Sequence, residues 1–235
     1  MPDLIVLLPA RDEEKGIGEV IDRIPISSIS ERGYDTRVVV VDGHSTDSTC
    51  EIARDKGAEV IRQKSSQGKG NGVREALEFI YGSSEVENGG LLVMMDADAT
   101  YRPEDLLRFI HELQTFDVVW GSRLRGNIEK DAMSRTNLIG NRLLSLAASL
   151  VFLKKTTDLC TGYWGFRSKA ISKLSLSADG FNLEADLFGS VTKSKYRTKE
   201  IPIDYSHREG RSSLKWHRDG TRILLMILRN RFRIW

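Results

Sequence analysis

Leu91-Leu92-Val93-Met94-Met95-Asp96-Ala97-Asp98-Ala99-Thr100 decides the architecture. Five apolar residues without polar alternation fit a strand covered on both faces, as in a parallel sheet. The run halts at two carboxylates separated by one residue, which puts Asp96 and Asp98 at the strand's carboxyl end. Ligands of open α/β sheets bind along that edge. Two acidic oxygens there suit a hard divalent cation that keeps water ligands and shares phosphate oxygens with a substrate, so a metal-bridged nucleotide is expected. An isolated Asp-x-Asp is more often a solvated turn, and the surrounding segments have to decide.

They repeat the same pattern. Leu4 to Leu8 is a second buried run, closed by Pro9-Ala10-Arg11, and a helix from an Asp12 cap follows, with Ile17, Val20, Ile21 and Ile24 on one face. Val38 to Val41 ends at Asp42; Ser45 or Asp47 can cap the next helix, which stops near Gly57 before a short strand at Val60-Ile61. Gln67 to Gly72 opens a helix carrying Val73, Leu77 and Ile80. Pro103 starts another with Leu106, Ile110 and Leu113 inward, and Asp117 to Trp120 is a strand ending at Gly121-Ser122-Arg123. Strands alternating with helices imply βαβ units. Right-handed crossovers then bring Pro9-Ala10-Arg11, Asp42, the Asp96/Asp98 pair and Arg123 to one rim. Beyond Met133 the pattern loosens: an apolar helical stretch to Leu153, a helix over 183–191, an alternating strand through Ile201, Ile203 and Tyr205, and a basic C-terminal helix.

The 235 residues carry 35 basic and 33 acidic side chains, so no global field favours nucleic acid. Charge is uneven, however: Arg211, Lys215, Arg218, Arg222, Arg229, Arg231 and Arg233 face the single acid Asp219 at the C-terminal end. Cys50 and Cys160 stand far apart without metal spacing, which fits a reducing compartment and leaves one long-range disulfide open. Met1-Pro2-Asp3-Leu4 has no basic segment ahead of the first apolar run, so no signal peptide is expected, and no run of about 18 apolar residues exists to span a bilayer.

In order along the chain stand Leu8-Pro9-Ala10-Arg11-Asp12-Glu13-Glu14, Val41-Asp42-Gly43-His44-Ser45-Thr46-Asp47, Gly68-Lys69-Gly70, Asp96-Ala97-Asp98, Gly121-Ser122-Arg123, Thr157-Asp158 with Gly165-Phe166-Arg167, and Arg208-Glu209-Gly210-Arg211-Ser212. Together this series resembles the family 2 glycosyltransferases of the GT-A fold, most closely the dolichyl- or polyprenyl-phosphate sugar synthases. The resemblance implies an α/β, Rossmann-like, mostly parallel twisted sheet flanked by helices, with a less regular C-terminal acceptor side. It implies one domain over residues 1–235, with a nucleotide-sugar half to residue 123 and an acceptor and lipid half from 124. Pro9, Ala10, Arg11 and Glu13 would line the nucleotide pocket, Asp42 and Asp47 would meet the base or its loop, and Lys69 would sit near the nucleotide. Asp96 and Asp98, flanking Ala97, would hold Mg2+ or Mn2+ against the diphosphate. Arg123 and Arg135 would hold the acceptor phosphate or the departing diphosphate, Asp158 and Arg167 would shape the sugar and acceptor side, and Arg208 and Ser212 would belong to a loop closing over the donor. Thr100 stands where mannosyl members often carry Gln, and Ser213 where Lys is common, with Lys215 the candidate substitute.

The implied reaction is one inverting displacement from a GDP- or UDP-linked sugar (mannose, glucose or an N-acetylhexosamine) to a polyprenyl or dolichyl phosphate. Charge building on the diphosphate would be met by the cation, Asp98 and Arg123. A phosphate monoester is already anionic near neutral pH, so no strong base is needed; should one be required, Asp158 is the first candidate. His44, His111, His207 and His217 form no ligand pattern. Trp164 and Phe166 are read as packing residues. The C-terminal helix, and likewise Leu143 to Leu153, suits either an anionic membrane surface or a core contact, and the lipid acceptor favours peripheral attachment at a cytoplasmic face. The rivals are transfer to a glycan hydroxyl, a sugar nucleotidyltransferase, against which the glycine-free Pro9-Ala10-Arg11-Asp12-Glu13 argues, and a non-catalytic binding subunit.

Overall fold

The structure, a computed structural model, describes residues 1–82, 89–208 and 216–232; Ser212, Ser213 and Lys215 lie outside the described residues. Seven strands are described: β1 (Asp3–Ala10), β2 (Asp35–Asp42), β3 (Glu59–Arg62), β4 (Leu91–Met94), β5 (Val118–Ser122), β6 (Trp164–Arg167) and β7 (Thr198–Pro202). They form one mixed sheet in the order β3-β2-β1-β4-β6-β5-β7. Every pairing is parallel except those of β6, which runs antiparallel to both β4 and β5. The carboxyl ends of all the other strands therefore share one rim, and that of β6 lies at the opposite one.

The unbroken apolar runs fill both sides of this sheet. Leu4, Val6, Leu8, Leu91, Val93 and Met95 face one core, with helices α1 (Ile17–Asp22), α2 (Ile26–Glu31), α3 (Thr49–Asp55) and α5 (Leu106–Leu113). Ile5, Leu7, Val39, Val41, Leu92 and Met94 face the other, against α4 (Lys69–Tyr81), α6 (Arg135–Phe152), α7 (Ser168–Ile171), α8 (Leu183–Lys193) and α9 (Trp216–Phe232). Successive residues of a strand point to opposite faces, so a strand buried twice has no polar positions to alternate.

Three local expectations are corrected. Asp12 does not cap a helix: it sits in the left-handed region at φ 53°, and α1 begins after Gly16. Its carboxylate instead accepts the Thr46 amide at 2.8 Å, which holds the chain away from helical geometry. The Ile26–Glu31 helix was hidden behind Pro25, and β6 was hidden because four residues with a glycine carry no period of their own. Trp164 and Phe166 on β6 pack as read, stacked on each other at 5.9 Å, with Trp164 on Trp120 at 5.4 Å. Cys50 and Cys160 are free thiols.

The C-terminal helix buries Ile223, Met226 and Ile227 against α6 and α8. Asn230 of α9 donates to the buried Asp186 of α8 at 2.9 Å, and Asp186 also accepts the Ala178 amide at 2.7 Å. No helix among the described residues is long and apolar enough to cross a membrane.

β6 can sit between β4 and β5 only because Gly165 lets α5 close on it. A Cβ there would stand 2.8 Å from Phe109 Cδ1 and 3.1 Å from Leu113 Cδ1, both of them buried side chains with no room to yield. Gly165→Ala should lower the free energy of unfolding by about 1–3 kcal/mol, read as a lower urea midpoint at unchanged m-value.

Candidate active site

The rim is assembled by loops that satisfy one another's backbones. After β1, Asp12 N donates to Ser45 Oγ at 3.0 Å, Glu13 N to Thr49 Oγ1 at 2.8 Å and Glu14 N to Asp47 Oδ2 at 3.2 Å. In return Asp12 accepts Thr46 N. Asp47 is thereby committed to its loop, since its other oxygen accepts Thr49 N at 3.0 Å. Ala10 lies beside Asp42 in the β1–β2 register, next to Pro9, and Arg11 is exposed. Gly16 lets the Ala97 carbonyl and the Asp98 backbone approach to within about a Cβ contact (3.0–3.1 Å), so the loops after β1 and β4 touch. Asp42 is wholly buried: Oδ1 accepts the Ser45 amide at 2.9 Å, while Oδ2 has no hydrogen-bond partner and lies 3.9 Å from Arg62 Nε.

Asp96 and Asp98 each meet a cation. Lys69 Nζ lies 2.5 Å from Asp96 and 2.7 Å from Glu184 on α8. It is delivered there by Gly68 and Gly70, whose missing side chains let α4 abut the Ala178–Asp179 backbone; Gly68 itself has φ 151°. Burial opposes the Lys69 charge, but Asp96 and Glu184 outweigh it and hold its pKa above that of an ordinary lysine. Asp98 is buried; Oδ1 takes the Thr100 hydroxyl at 2.6 Å and Oδ2 takes Arg208 at 3.0 Å. The other arm of Arg208 bonds Glu13. Burial and the Asp96 charge raise the Asp98 pKa against the pull of Arg208. Burial likewise pushes Glu13 up to about 8, against Arg208 and with help from Asp98, Asp96 and Asp47.

Further along the same rim, at the end of β5, Arg123 is clamped by Asp158. The buried carboxylate accepts Arg123 N at 2.9 Å, Nε at 2.7 Å and an NH2 at 2.7 Å, and Asn141 of α6 at 2.5 Å. Both oxygens are thus engaged by a bidentate guanidinium and the Asn141 amide, so the carboxylate named as first candidate base is here a partner of Arg123. Tyrosines join the two halves. Tyr205 lies under the Arg123 guanidinium, 5.1 Å from ring centroid to carbon, and edge-on to Tyr101 at 5.5 Å. Ser206 N bonds the Thr100 carbonyl at 2.9 Å, and the Tyr101 hydroxyl accepts the Gly162 amide at 2.8 Å. Burial raises the Tyr205 pKa, opposed by Arg123 and helped by Asp98 and Asp96, so both charged centres act on one ring.

One expected residue is not brought in, and another is exposed on a helix. Arg167 closes the antiparallel β6, so it lies at the opposite rim, where it donates to the carbonyls of Leu113 and Gln114. Arg135 is exposed at the start of α6, six residues or about 9 Å along the axis from Asn141. Glu184, Asn141, Tyr101 and Tyr205 went unread: Glu184 looks like an ordinary first-turn helix acid, and nothing local in the sequence marks the other three.

Residues 5–175 match the family model "Glycosyl transferase family 2". Glycosyltransferase AglJ of Haloferax volcanii is 32% identical over 232 residues, 97% of this chain and 72% of that protein. The dolichyl-phosphate hexose transferase of the same organism is 32% identical over 216 residues, 90% of this chain and 86% of the relative. The dolichol-phosphate mannosyltransferase of Pyrococcus furiosus is 26% identical over 219 residues, 89% and 58% of the two chains. Among solved structures, glucosyl-3-phosphoglycerate synthase from Mycobacterium tuberculosis, in complex with Mn2+, UDP and glucosyl-3-phosphoglycerate, superposes with a TM-score of 0.74 at 20% identity, covering 97% of this chain and 80% of that one. That likeness is one of fold, GT-A.

Two consequences are measurable. The folded protein holds the Glu13 proton to about pH 8, whereas an unperturbed Glu releases it near 4.5. Between these values the folded state binds more protons, so stability falls as pH rises. In chelator, urea midpoints should decline from pH 5 to 8, and less steeply in Glu13→Gln; equal slopes would contradict the assignment. Separately, a Cβ on Gly162 would sit 2.2 Å from Asp96 Oδ2, so Gly162→Ala must move that carboxylate. Turnover of the folded variant, assayed well below its urea midpoint, should fall by about 100-fold.

Proposed function

The chain belongs to glycosyl transferase family 2 and is a glycosyltransferase; from that premise we propose that it transfers a hexose or N-acetylhexosamine from a GDP- or UDP-linked donor to a polyprenyl phosphate, inverting the anomeric centre. The Arg123–Asp158 pair carries this reading. A sugar hydroxyl would need a base to take its proton, whereas a phosphate monoester arrives as an anion and needs an anchor. At this end of the cleft stands a buried guanidinium whose partner carboxylate has no oxygen left to act as base. The relatives that act on dolichyl and dolichol phosphate support the same acceptor class.

On the donor side, Pro9, Ala10, Arg11, Glu13 and Asp42 would receive the nucleotide. The unpartnered, buried Asp42 Oδ2 is an acceptor suited to an N–H of the base. Lys69, Asp96 and Glu184 would face the sugar, and Arg208, bonded across Glu13 and Asp98, would face the diphosphate.

The residues fit a divalent cation. Among the described residues, five carboxyl groups (Glu13, Asp96, Asp98, Asp158 and Glu184) are held by three cations, Lys69, Arg123 and Arg208. Asp96 and Asp98 would hold Mg2+ or Mn2+, and such an ion, when bound, would neutralise charge on the leaving diphosphate. Among the described residues no cluster of three or more His, Cys, Asp or Glu exists to cage a metal, so diphosphate oxygens and water would complete its shell.

The protein would work as a peripheral protein at the cytoplasmic face of a membrane. Ile139, Leu143, Leu146, Leu150 and Leu153 form an exposed row along α6, and Leu224, Leu225, Leu228 and Phe232 an exposed face of the neighbouring α9. Residues 135–155 contain no acid, and the one acid of α9, Asp219, is buried, while Arg142, Lys155, Arg222 and Arg229 are exposed. Among the described residues of these two helices the exposed charge beside the apolar face is basic, which matches an anionic lipid surface.

Labelled GDP- and UDP-sugars incubated with polyprenyl phosphate should yield a chloroform-soluble product, lost with chelator and reduced by about 100-fold or more in Asp98→Asn; a water-soluble glycan product would favour the hydroxyl rival. In flotation, wild-type protein should rise with anionic vesicles and not with neutral ones. Leu143→Glu/Leu150→Glu should stay in the soluble fraction while still binding nucleotide; flotation of that variant would count against the membrane face.

A further inference from the structure

We propose that Glu200 is a positioning residue of the acceptor site, its carboxylate setting the 156–158 segment that aims Asp158 and, through it, Arg123. This rests on Arg123 being the anchor of the acceptor phosphate.

Glu200 lies on the edge strand β7, directly across from Trp120 in the β5–β7 register. Its neighbour Ile201 faces the opposite core, so the acid points into the layer that holds Trp120. There the side chain is only 10% exposed. A carboxylate in such a place is costly unless hydrogen bonds replace its water. Glu200 Oε1 accepts Trp120 Nε1 at 3.0 Å, the Thr156 hydroxyl at 2.8 Å and the Thr157 amide at 2.8 Å, with the Asp158 amide further off at 3.4 Å. Oε2 accepts the Thr157 hydroxyl at 2.8 Å. Its cationic neighbour is Arg125, 3.8 Å away and half exposed.

The segment it holds belongs to no helix or strand. Buried amides of such a segment need partners outside a ladder, and one acceptor-only group supplies them for consecutive residues. Thr157 is tied a second time, its hydroxyl 2.7 Å from Ser122 Oγ, the residue before Arg123. Asp158 follows at once and clamps Arg123 by backbone and side chain. Glu200 thus fixes where the guanidinium points without touching the donor rim, where Asp42, Asp96 and Asp98 stand on other strands and loops.

The test is a double-mutant cycle. Equilibrium titration with geranylgeranyl monophosphate would report acceptor affinity, and titration with UDP and GDP donor affinity, for wild type, Glu200→Ala, Glu200→Gln, Arg123→Ala and the Glu200→Ala/Arg123→Ala pair. Glu200→Ala should weaken acceptor binding by about 10- to 100-fold and nucleotide binding by less than about twofold. Glu200→Gln, which keeps one acceptor oxygen, should fall between wild type and Ala, and it carries the comparison if the alanine variant does not fold. In the Arg123→Ala background, Glu200→Ala should add less than about twofold to the acceptor loss. Unchanged acceptor affinity in both Glu200 variants, parallel loss of nucleotide binding, or full additivity with Arg123→Ala would overturn the proposal. If Arg123→Ala itself binds the monophosphate normally, or wild type does not bind it, the acceptor reading falls and this inference with it.

Discussion

Carboxylates drawn out of water need partners, and among the described residues this rim gathers five of them on three paired cations. Lys69 bridges Asp96 and Glu184, Arg208 bridges Glu13 and Asp98, and Arg123 is enclosed by Asp158. Removing one partner from such a pair leaves a charge with little water to replace it, least of all at Asp158 and Asp98, so each pair fixes geometry as well as charge. The imbalance that remains is relieved partly by Glu13, whose proton is held to higher pH by burial. The rest is a standing attraction for positive charge at the edge where a diphosphate would lose its sugar.

Sheet direction separates two tasks. The loops after β1 and β2 hold one another through reciprocal bonds between residues 12–14 and 45–49, and the loop after β4 packs on Gly16. Arg123 at the end of β5 belongs to a second assembly, built from the 156–158 segment, Asn141 and Glu200. Inserting the antiparallel β6 moves β5 one strand away from β4, and the Tyr101–Tyr205 contact bridges the gap. In the proposed reaction the first assembly takes the nucleotide sugar and the second the acceptor, with the apolar faces of α6 and α9 bringing a lipid phosphate to the second.

Much of this was legible in the chain. Leu4–Leu8, Val38–Val41 and Leu91–Met95 declared a doubly covered parallel sheet because nothing polar interrupts them, and each run ended at the residues that now line the rim. What escaped reading has physical causes. The direction of β6 is set by pairing on both sides, which four residues cannot announce, and with it went the placement of Arg167. Asp158 was legible as a residue, but its clamp on Arg123 was not, because that depends on Asn141 and Arg123 from other elements. Glu184 and Glu200 look like surface acids on a helix turn and an edge strand until the tertiary fold buries them.

The central claim is that the acid pair and Arg123 serve one cleft. Anomalous diffraction from crystals grown with Mn2+ and a nucleoside diphosphate tests it most directly. The account predicts a single strong peak against the Asp98 carboxylate, with the base at Asp42 and the cleft continuing past Tyr205 to Arg123. A peak remote from Asp98, or a nucleotide bound at the rim where β6 ends, would contradict it.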